Sequence, residues 1–190
     1  TALTCSDIDN SVTGSLTIGA TYYVQVYTWS SVGGRDTTFD ICIGTPPGPP
    51  SNDNCAGATS LSVNPDLSCG NVTNATLFNA TGSAQANGCL GNADDDVWYS
   101  FVANNSFHQV TVDGVAGFNA VVQVFEISCA GASLVCTNTT GDNGVETSSL
   151  SGLTPGTTYF VRVYHNGVGA GVLAPNSFTI CVTSTVPGCA

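Results

Sequence analysis

The chain contains no lysine and no methionine, and Arg35 and Arg162 are its only basic residues. Nucleic acids and anionic membrane surfaces are held by basic side chains, so neither is expected as a partner. Two arginines leave trypsin-like proteases only two cleavage points, which suits a protein that persists outside the cell. The missing methionine removes the readily oxidised thioether. No apolar run approaches the length of a membrane-spanning helix and the first residues do not read as a signal peptide, so Thr1 is expected to be an internal or processed end. There is no CxxC pair and no Cys/His cluster to hold zinc. No stretch follows a 3.6-residue helical period.

What is present points outward from the cell. Nine cysteines in 190 residues imply an oxidising compartment. Thirteen acids give a net charge of −11, so the surface attracts cations. Apolar residues make up 42% of the chain while charged residues make up only 8%, which is the reverse of a disordered composition. The polar remainder is mostly Thr, Ser, Asn and Gly.

The chain repeats itself. TYYVQVY at 21–27 matches TYFVRVY at 158–164, FDICI at 39–43 matches FTICV at 178–182, and LTC at 3–5 matches LVC at 134–136. Cys5 thus corresponds to Cys136 and Cys42 to Cys181. Residues 1–43 read as the second half of a module, 44–54 as a Pro/Gly linker, 55–182 as a complete module, and 183–190 as a further linker or the start of a contact with the next unit. Alternating β-branched and aromatic runs predict strands at 58–63, 71–79, 96–103, 107–113, 119–127, 145–150 and 175–182, besides the two Tyr-rich runs. Turns are expected at Asn64-Pro65-Asp66, Asp113-Gly114, Asn143-Gly144 and Thr154-Pro155-Gly156. Many short strands at this spacing read as an all-β sandwich, in tandem modules and stapled by disulfides.

Six cysteines in the complete module allow fifteen pairings. A hairpin around AGASLV is expected to join Cys129 to Cys136. Pairing Cys55 with Cys181 would staple the module's ends and leave Cys69 for Cys89. The ends of the chain, PGCA and TALTC, join to give CATALTC, similar to CAGASLVC at 129–136. On that basis Cys189 of one copy is expected to approach Cys5 of the next. Alternatively, Cys189-Ala190 matches Cys55-Ala56 and opens another module.

Candidate sites are few. Asp94, Asp95 and Asp96 form the densest acidic cluster and could gather calcium, with Asp142, Asn143 and Glu146 in a second loop. The plainer account is a solvated turn whose aspartates cap backbone donors, and the absence of an EF-hand or nonapeptide motif favours it. His108 and His165, the only histidines, lie in no nucleophile motif, and Glu126 and Glu146 show no sign of sharing a cleft. No catalytic residue is therefore expected, and no cofactor beyond calcium. Trp98 and Tyr99 should point to opposite faces of a strand, and Trp29 ends the first Tyr-rich run. Exposed aromatics would stack on sugars; core packing is the simpler account. Asn71, Asn74, Asn79, Asn104 and Asn138 open sequons, a number that chance also supplies. Thr37, in Asp36-Thr37-Thr38, is a candidate for O-glycosylation.

SNDNCAGATSL (51–61), DDDVWYSFVA (94–103) and LTPGTTYFVRVY…FTICV (153–182) together resemble the bacterial pre-peptidase C-terminal domain, in the cysteine-rich form repeated in secreted proteins of Bacteroidota-like bacteria. The resemblance implies a jelly-roll-like strand order and a non-catalytic accessory module, of a kind that sometimes binds calcium or polymers. It covers 51–182 and, for the second half only, 1–43.

A half-module cannot bury its own sheets, and its open edges would seed aggregation. Either the chain is a window on a longer tandem array, or a neighbouring copy donates strands. Head-to-tail contacts that do not close make filaments. The leading expectation is a non-enzymatic extracellular filament or stalk whose partners are copies of itself. The alternatives are an adhesin module for glycans or matrix, and an accessory domain of a secreted hydrolase.

Overall fold

Runs of Val, Phe, Tyr and Thr at alternating positions become ten strands between Thr59 and Ser184 in a computed structural model that describes residues 16–27, 38–44, 48–115, 117–167 and 177–184. These are β1 (Thr59–Ser60), β2 (Val63–Asn64), β3 (Thr73–Thr76), β4 (Val97–Val102), β5 (Phe107–Gly114), β6 (Ala120–Glu126), β7 (Val135–Thr137), β8 (Val145–Ser151), β9 (Thr158–His165) and β10 (Ser177–Ser184). One sheet runs β1-β4-β9-β6-β7 and the other β2-β10-β5-β8, with β3 also paired to β10. The two sheets face each other as a sandwich, so the all-β fold class expected from the pattern holds.

Alternation fixes the core. Val97, Tyr99 and Phe101 of β4, Val122 and Val124 of β6, and Tyr159, Val161 and Val163 of β9 turn inward from the first sheet. Val110 and Val112 of β5, with Phe178, Ile180 and Val182 of β10, meet them from the second. Phe118 stacks on Phe178, their ring centroids 5.1 Å apart.

Two sequence expectations are corrected here. The run 58–63 is not one strand. It pairs in parallel with β4 as β1, crosses at buried Leu61, and pairs in parallel with β10 as β2. Leu61 fills the gap between the sheets while its N–H donates to the Ser100 carbonyl at 2.7 Å. Asp113-Gly114 is not a turn but the end of β5. Glycine stands there because a Cβ would lie 2.9 Å from the Phe118 ring.

The outer face of the first sheet is also buried. Trp98, Arg162 and Gln123 are cross-strand neighbours on that face, in line with Cys136. The opening segment 51–58 and the loop between β3 and β4 cover them. Asn52 brackets Trp98: its carbonyl accepts the Trp98 N–H (2.8 Å), and its side-chain amide donates to the Trp98 carbonyl (3.0 Å). Asp53 accepts from the N–H and hydroxyl of Thr81 at 2.6 and 2.7 Å. The SNDN motif is therefore a clamp that fastens the chain's entry to the loop.

Face parity also overturns all three expected pairings within the module. The disulfides are Cys55–Cys129, Cys69–Cys181 and Cys89–Cys136. Cys129 cannot meet Cys136, because β7 sets Cys136 opposite Gln123, and Glu126 already lies about 10 Å further along β6. Cys55–Cys181 fails because the two lie on opposite outer faces. Cys181 points out of the second sheet between inward Ile180 and Val182, whereas Cys55 packs beside Trp98 and Phe125 over the first. Cys69 sits in the β2–β3 loop, over Cys181, and Cys89 in the β3–β4 loop, over Cys136, so Cys69–Cys89 is excluded on the same ground.

Residues Thr1–Pro46 form a separate unit. Its described residues pair in no β-ladder, although 21–27 reads as a strand. They nonetheless repeat the hydrogen bonds of one piece of the complete module. The Thr154 N–H donates to the Tyr159 hydroxyl at 2.9 Å, and the Thr17 N–H donates to the Tyr22 hydroxyl at 2.9 Å. Thr157 N–H bonds the Thr154 carbonyl (3.1 Å) as Ala20 N–H bonds that of Thr17 (3.2 Å). Gly156 and Gly19 both sit at positive φ, 85° and 83°. Leu16–Tyr22 is thus the same tyrosine-anchored turn as Leu153–Tyr159.

Non-reducing peptide mapping should return the three pairs above. Replacing Cys89 and Cys136 together by serine should lower unfolding stability by about 2–4 kcal/mol, read in denaturant melts.

Candidate functional site

The polar centre of the module lies under the β3–β4 loop, on the outer face of the first sheet. Arg162, one of only two cations in the chain, is 1% exposed there. Its Nε donates to Asp96 Oδ2 at 2.7 Å, and Asp96 is fully buried. Its Nη1 reaches Gln123 Oε1 and the Gln85 carbonyl, each at 3.4 Å. Its guanidinium lies 5.4 Å from the Trp98 ring centroid and 5.5 Å from that of Tyr164, a cation held between two aromatic rings. Asp96 Oδ1 accepts the Ser83 N–H at 2.6 Å, and the Ser83 hydroxyl donates to Asp96 Oδ2. The indole N–H of Trp98 donates to Ser83 Oγ at 2.7 Å. The Tyr164 hydroxyl donates to the Leu90 carbonyl at 2.7 Å. Most of these contacts fasten the loop to the sheet, and both oxygens of Asp96 are engaged in them.

The aspartate run therefore does not converge on a cation. Asp96 is spent on Arg162, and Asp95 accepts the His165 N–H at 3.3 Å. Among the described residues, no group of three His, Cys, Asp or Glu side chains could hold a metal ion. The three aspartates lie in the bend just before β4, where Asp95 turns to the His165 N–H and Asp96 to the Arg162 guanidinium. Glu146 is likewise engaged. Burial opposes its charge, but the hydroxyls and N–H groups of Thr140 and Thr139 hold it below the usual carboxylate range. It organises the 137–144 turn and does not join Asp142 and Asn143.

His108 is buried against Phe101 (5.5 Å between centroids). Its Nε2 lies 3.0 Å from Asn104 Oδ1, and burial lowers its pKa. The Nδ1 of His165 accepts the Gly167 N–H at 2.7 Å. Glu126 Oε1 accepts from the Tyr159 hydroxyl at 3.2 Å. None of these groups faces a serine or a second carboxylate in a cleft. The open depression lined by Ala84, Gln85, Ala86, Cys129, Ala130 and Gly131 carries no ionisable side chain. Trp98, considered as a sugar platform, is fully buried.

Asn71, Asn74 and Asn104 are exposed, Asn79 and Asn138 half-buried. Thr37, Trp29, Cys5 and Cys189 lie outside the described residues. The expectation of a Cys5–Cys189 contact rested on a Cys129–Cys136 pair, and with Cys136 bonded to Cys89 that support is gone.

The family model for galactose binding domain-like, T9SS-associated domains matches residues 51–180, and the chain belongs to that family. The resemblance read from 51–182 thus falls on the same residues. Its members are domains of secreted Bacteroidota proteins, typically non-catalytic. Among solved structures, the chain is similar to the pre-peptidase C-terminal domain of a Bacillus anthracis collagenase (13% identity, TM-score 0.44, 66% of this chain and 93% of that one). It is also similar to PliG from Aeromonas hydrophila, a periplasmic inhibitor of g-type lysozyme (14% identity, TM-score 0.30, 66% and 98%). Likenesses this low carry no functional weight. A search of curated proteins finds no match. No helix among the described residues is long and apolar enough to cross a membrane, which says nothing of β-barrels.

Two outcomes test this centre. Arg162→Met should cost about 3–5 kcal/mol, because it strands Asp96, and adding Asp96→Asn should restore much of that loss in a double-mutant cycle. Asp95 is 2% exposed and its Oδ2 has no hydrogen-bond partner. Burial pushes its carboxyl up to about 7, with Asp94 and Asp96 adding to the effect and the His165 N–H opposing it. The native state then holds a proton that the unfolded chain releases near pH 4, so this group's contribution to stability falls as pH rises from about 4 to 7. Asp95→Asn should raise Tm at pH 8, leave it nearly unchanged at pH 4, and flatten the profile between.

Proposed function

We propose that this protein is a non-enzymatic structural element of the bacterial cell surface: disulfide-stapled sandwich modules placed in series, assembled head to tail as a filament or stalk. The observation that carries the reading is the repeated turn. Leu16–Tyr22 reproduces the hydrogen bonds of Leu153–Tyr159 in a second unit of the same chain, which supports modules in series. The centre of the complete module supports it too. Its charged groups are used to hold a loop down, which is what a load-bearing unit needs and a catalyst does not. The surface is polar without being basic, as expected for extracellular material that avoids nucleic acid.

Glycan or matrix binding remains the second function weighed in the sequence. It would need an aromatic platform, and buried Trp98 does not supply one. The exposed rings Tyr22, Tyr23, Tyr27 and Phe39 lie in segments whose counterparts are covered in the complete module. An accessory role on a secreted hydrolase has no feature in its favour among the described residues.

Negative-stain images of the native protein should show unbranched fibres or stalks with a repeat of one sandwich length. Isolated particles at every concentration, with retention on a glycan array, would replace this reading with the adhesin one.

A further inference from the structure

Tyr22, Phe39 and Ile43 are 41%, 63% and 79% exposed, whereas their counterparts Tyr159, Phe178 and Val182 are 1%, 2% and 0% exposed. Cys42 is a free, exposed thiol, whereas its counterpart Cys181 is bonded to Cys69. The complete module shows what these positions lack. β9 is flanked by β4 and β6, and β10 by β3, β2 and β5. Every one of those neighbours belongs to the first half of the module. Tyr159 stacks on Phe101 of β4 and donates to Glu126 of β6, and Tyr22 has the same hydroxyl already oriented by Thr17.

The geometry points to one occupant for this surface: an amino-terminal half-module of the same family, supplied by a stretch of chain outside residues 1–190. It carries strands equivalent to β1–β6 and bonds Cys42 through a cysteine at the place of Cys69. Copies of residues 1–190 cannot serve. Each holds two second halves and a single first half, and that one is already used by β7–β10. The aromatics supply much of the area: a fully covered ring buries about 150–250 Å², so Tyr22, Tyr23, Tyr27 and Phe39, 41%, 94%, 68% and 63% exposed, offer about 400–650 Å² of the ~800 Å² per partner of a stable interface. The repeat also sets one feature of the occupant's chemistry. Gln25 stands where Arg162 stands, so the occupant carries a neutral residue at the place of Asp96, since a buried carboxylate there would have no cation.

The inference extends the tandem-module reading, and its test is independent of polymer formation. Residues 51–131, with Asp96→Asn in that added copy, are placed ahead of Thr1 of the full chain, which recreates the order of the complete module. Thiol alkylation and non-reducing peptide mapping are then compared with the 190-residue chain. Cys42 should become protected, its alkylation rate falling by about tenfold or more, and its peptide should be recovered linked to the added Cys69. The Cys69–Cys181, Cys89–Cys136 and Cys55–Cys129 bonds of the original module report that the rest has folded. With Cys69→Ser in the added copy, Cys42 should stay reactive while binding of a hydrophobic dye still falls, because the strands are covered without the bond. Cys42 that remains as reactive as in the 190-residue chain, or that links to several cysteines without preference, overturns the inference. That result would leave the microscopy of native fibres untouched.

Discussion

The Arg162–Asp96 pair holds the outer half of this module to the inner half. Sandwich cores usually need only the two inward faces. Here one outward face is buried as well, beneath a loop with no regular structure. A buried arginine is tolerable only if its charge is matched and its donors are met. Asp96, Gln123 and the Gln85 carbonyl do this, with Trp98 and Tyr164 on either side. Ser83 then ties the loop's backbone to the same carboxylate. The network joins β4, β9, β6 and the loop, and the Cys89–Cys136 bond holds the same loop to the same sheet.

How much of this could be read in the sequence follows from what alternation does and does not encode. Period two gave the strands and their inward faces, because each strand's neighbours share one core. In the structure the same alternation sets Cys181 and Cys136 outward, between Ile180 and Val182 and beside Val135. It did not say which loop folds over which face, so hairpin proximity suggested Cys129–Cys136 and the register refused it. The aspartate run looked like a cation site because three acids stood together in sequence. In space, the bend turns Asp95 to the His165 N–H, and only Arg162, 66 residues away, gives Asp96 its meaning. That coupling had one faint signal: Arg162 sits in the middle of an otherwise apolar strand, where a lone charge requires a buried counter-ion. Leu61, by contrast, gave no hint that it marks a change of sheet.

Membership of a T9SS-associated, galactose binding domain-like family agrees with a design in which polar chemistry is spent on fastening. The hydrogen-bonding side chains that reasoning from composition would offer to a ligand are instead satisfied internally: Asn52 on Trp98, Asp53 on Thr81, Asn64 on Asn71 and the Val182 carbonyl, Glu146 on two threonines. The second unit of the chain shows the complement of this economy. It keeps the local turn around Tyr22, which needs only neighbouring residues, while its apolar segments at 21–27 and 39–43 pair in no ladder and stay largely exposed. Local order and long-range order are thus separated within one polypeptide.

The Cys69–Cys181 bridge changes how the module responds to tension. A pull applied between residue 51 and residue 184 need not travel along the chain, because the bond short-circuits 112 residues of it. Only the stretch up to Cys69 can pay out, which at about 3.3–3.6 Å per residue is on the order of 60 Å. Beyond that length the load passes to sulfur. A string of such units would behave less like a spring of unravelling domains than like a chain of short, nearly inextensible links.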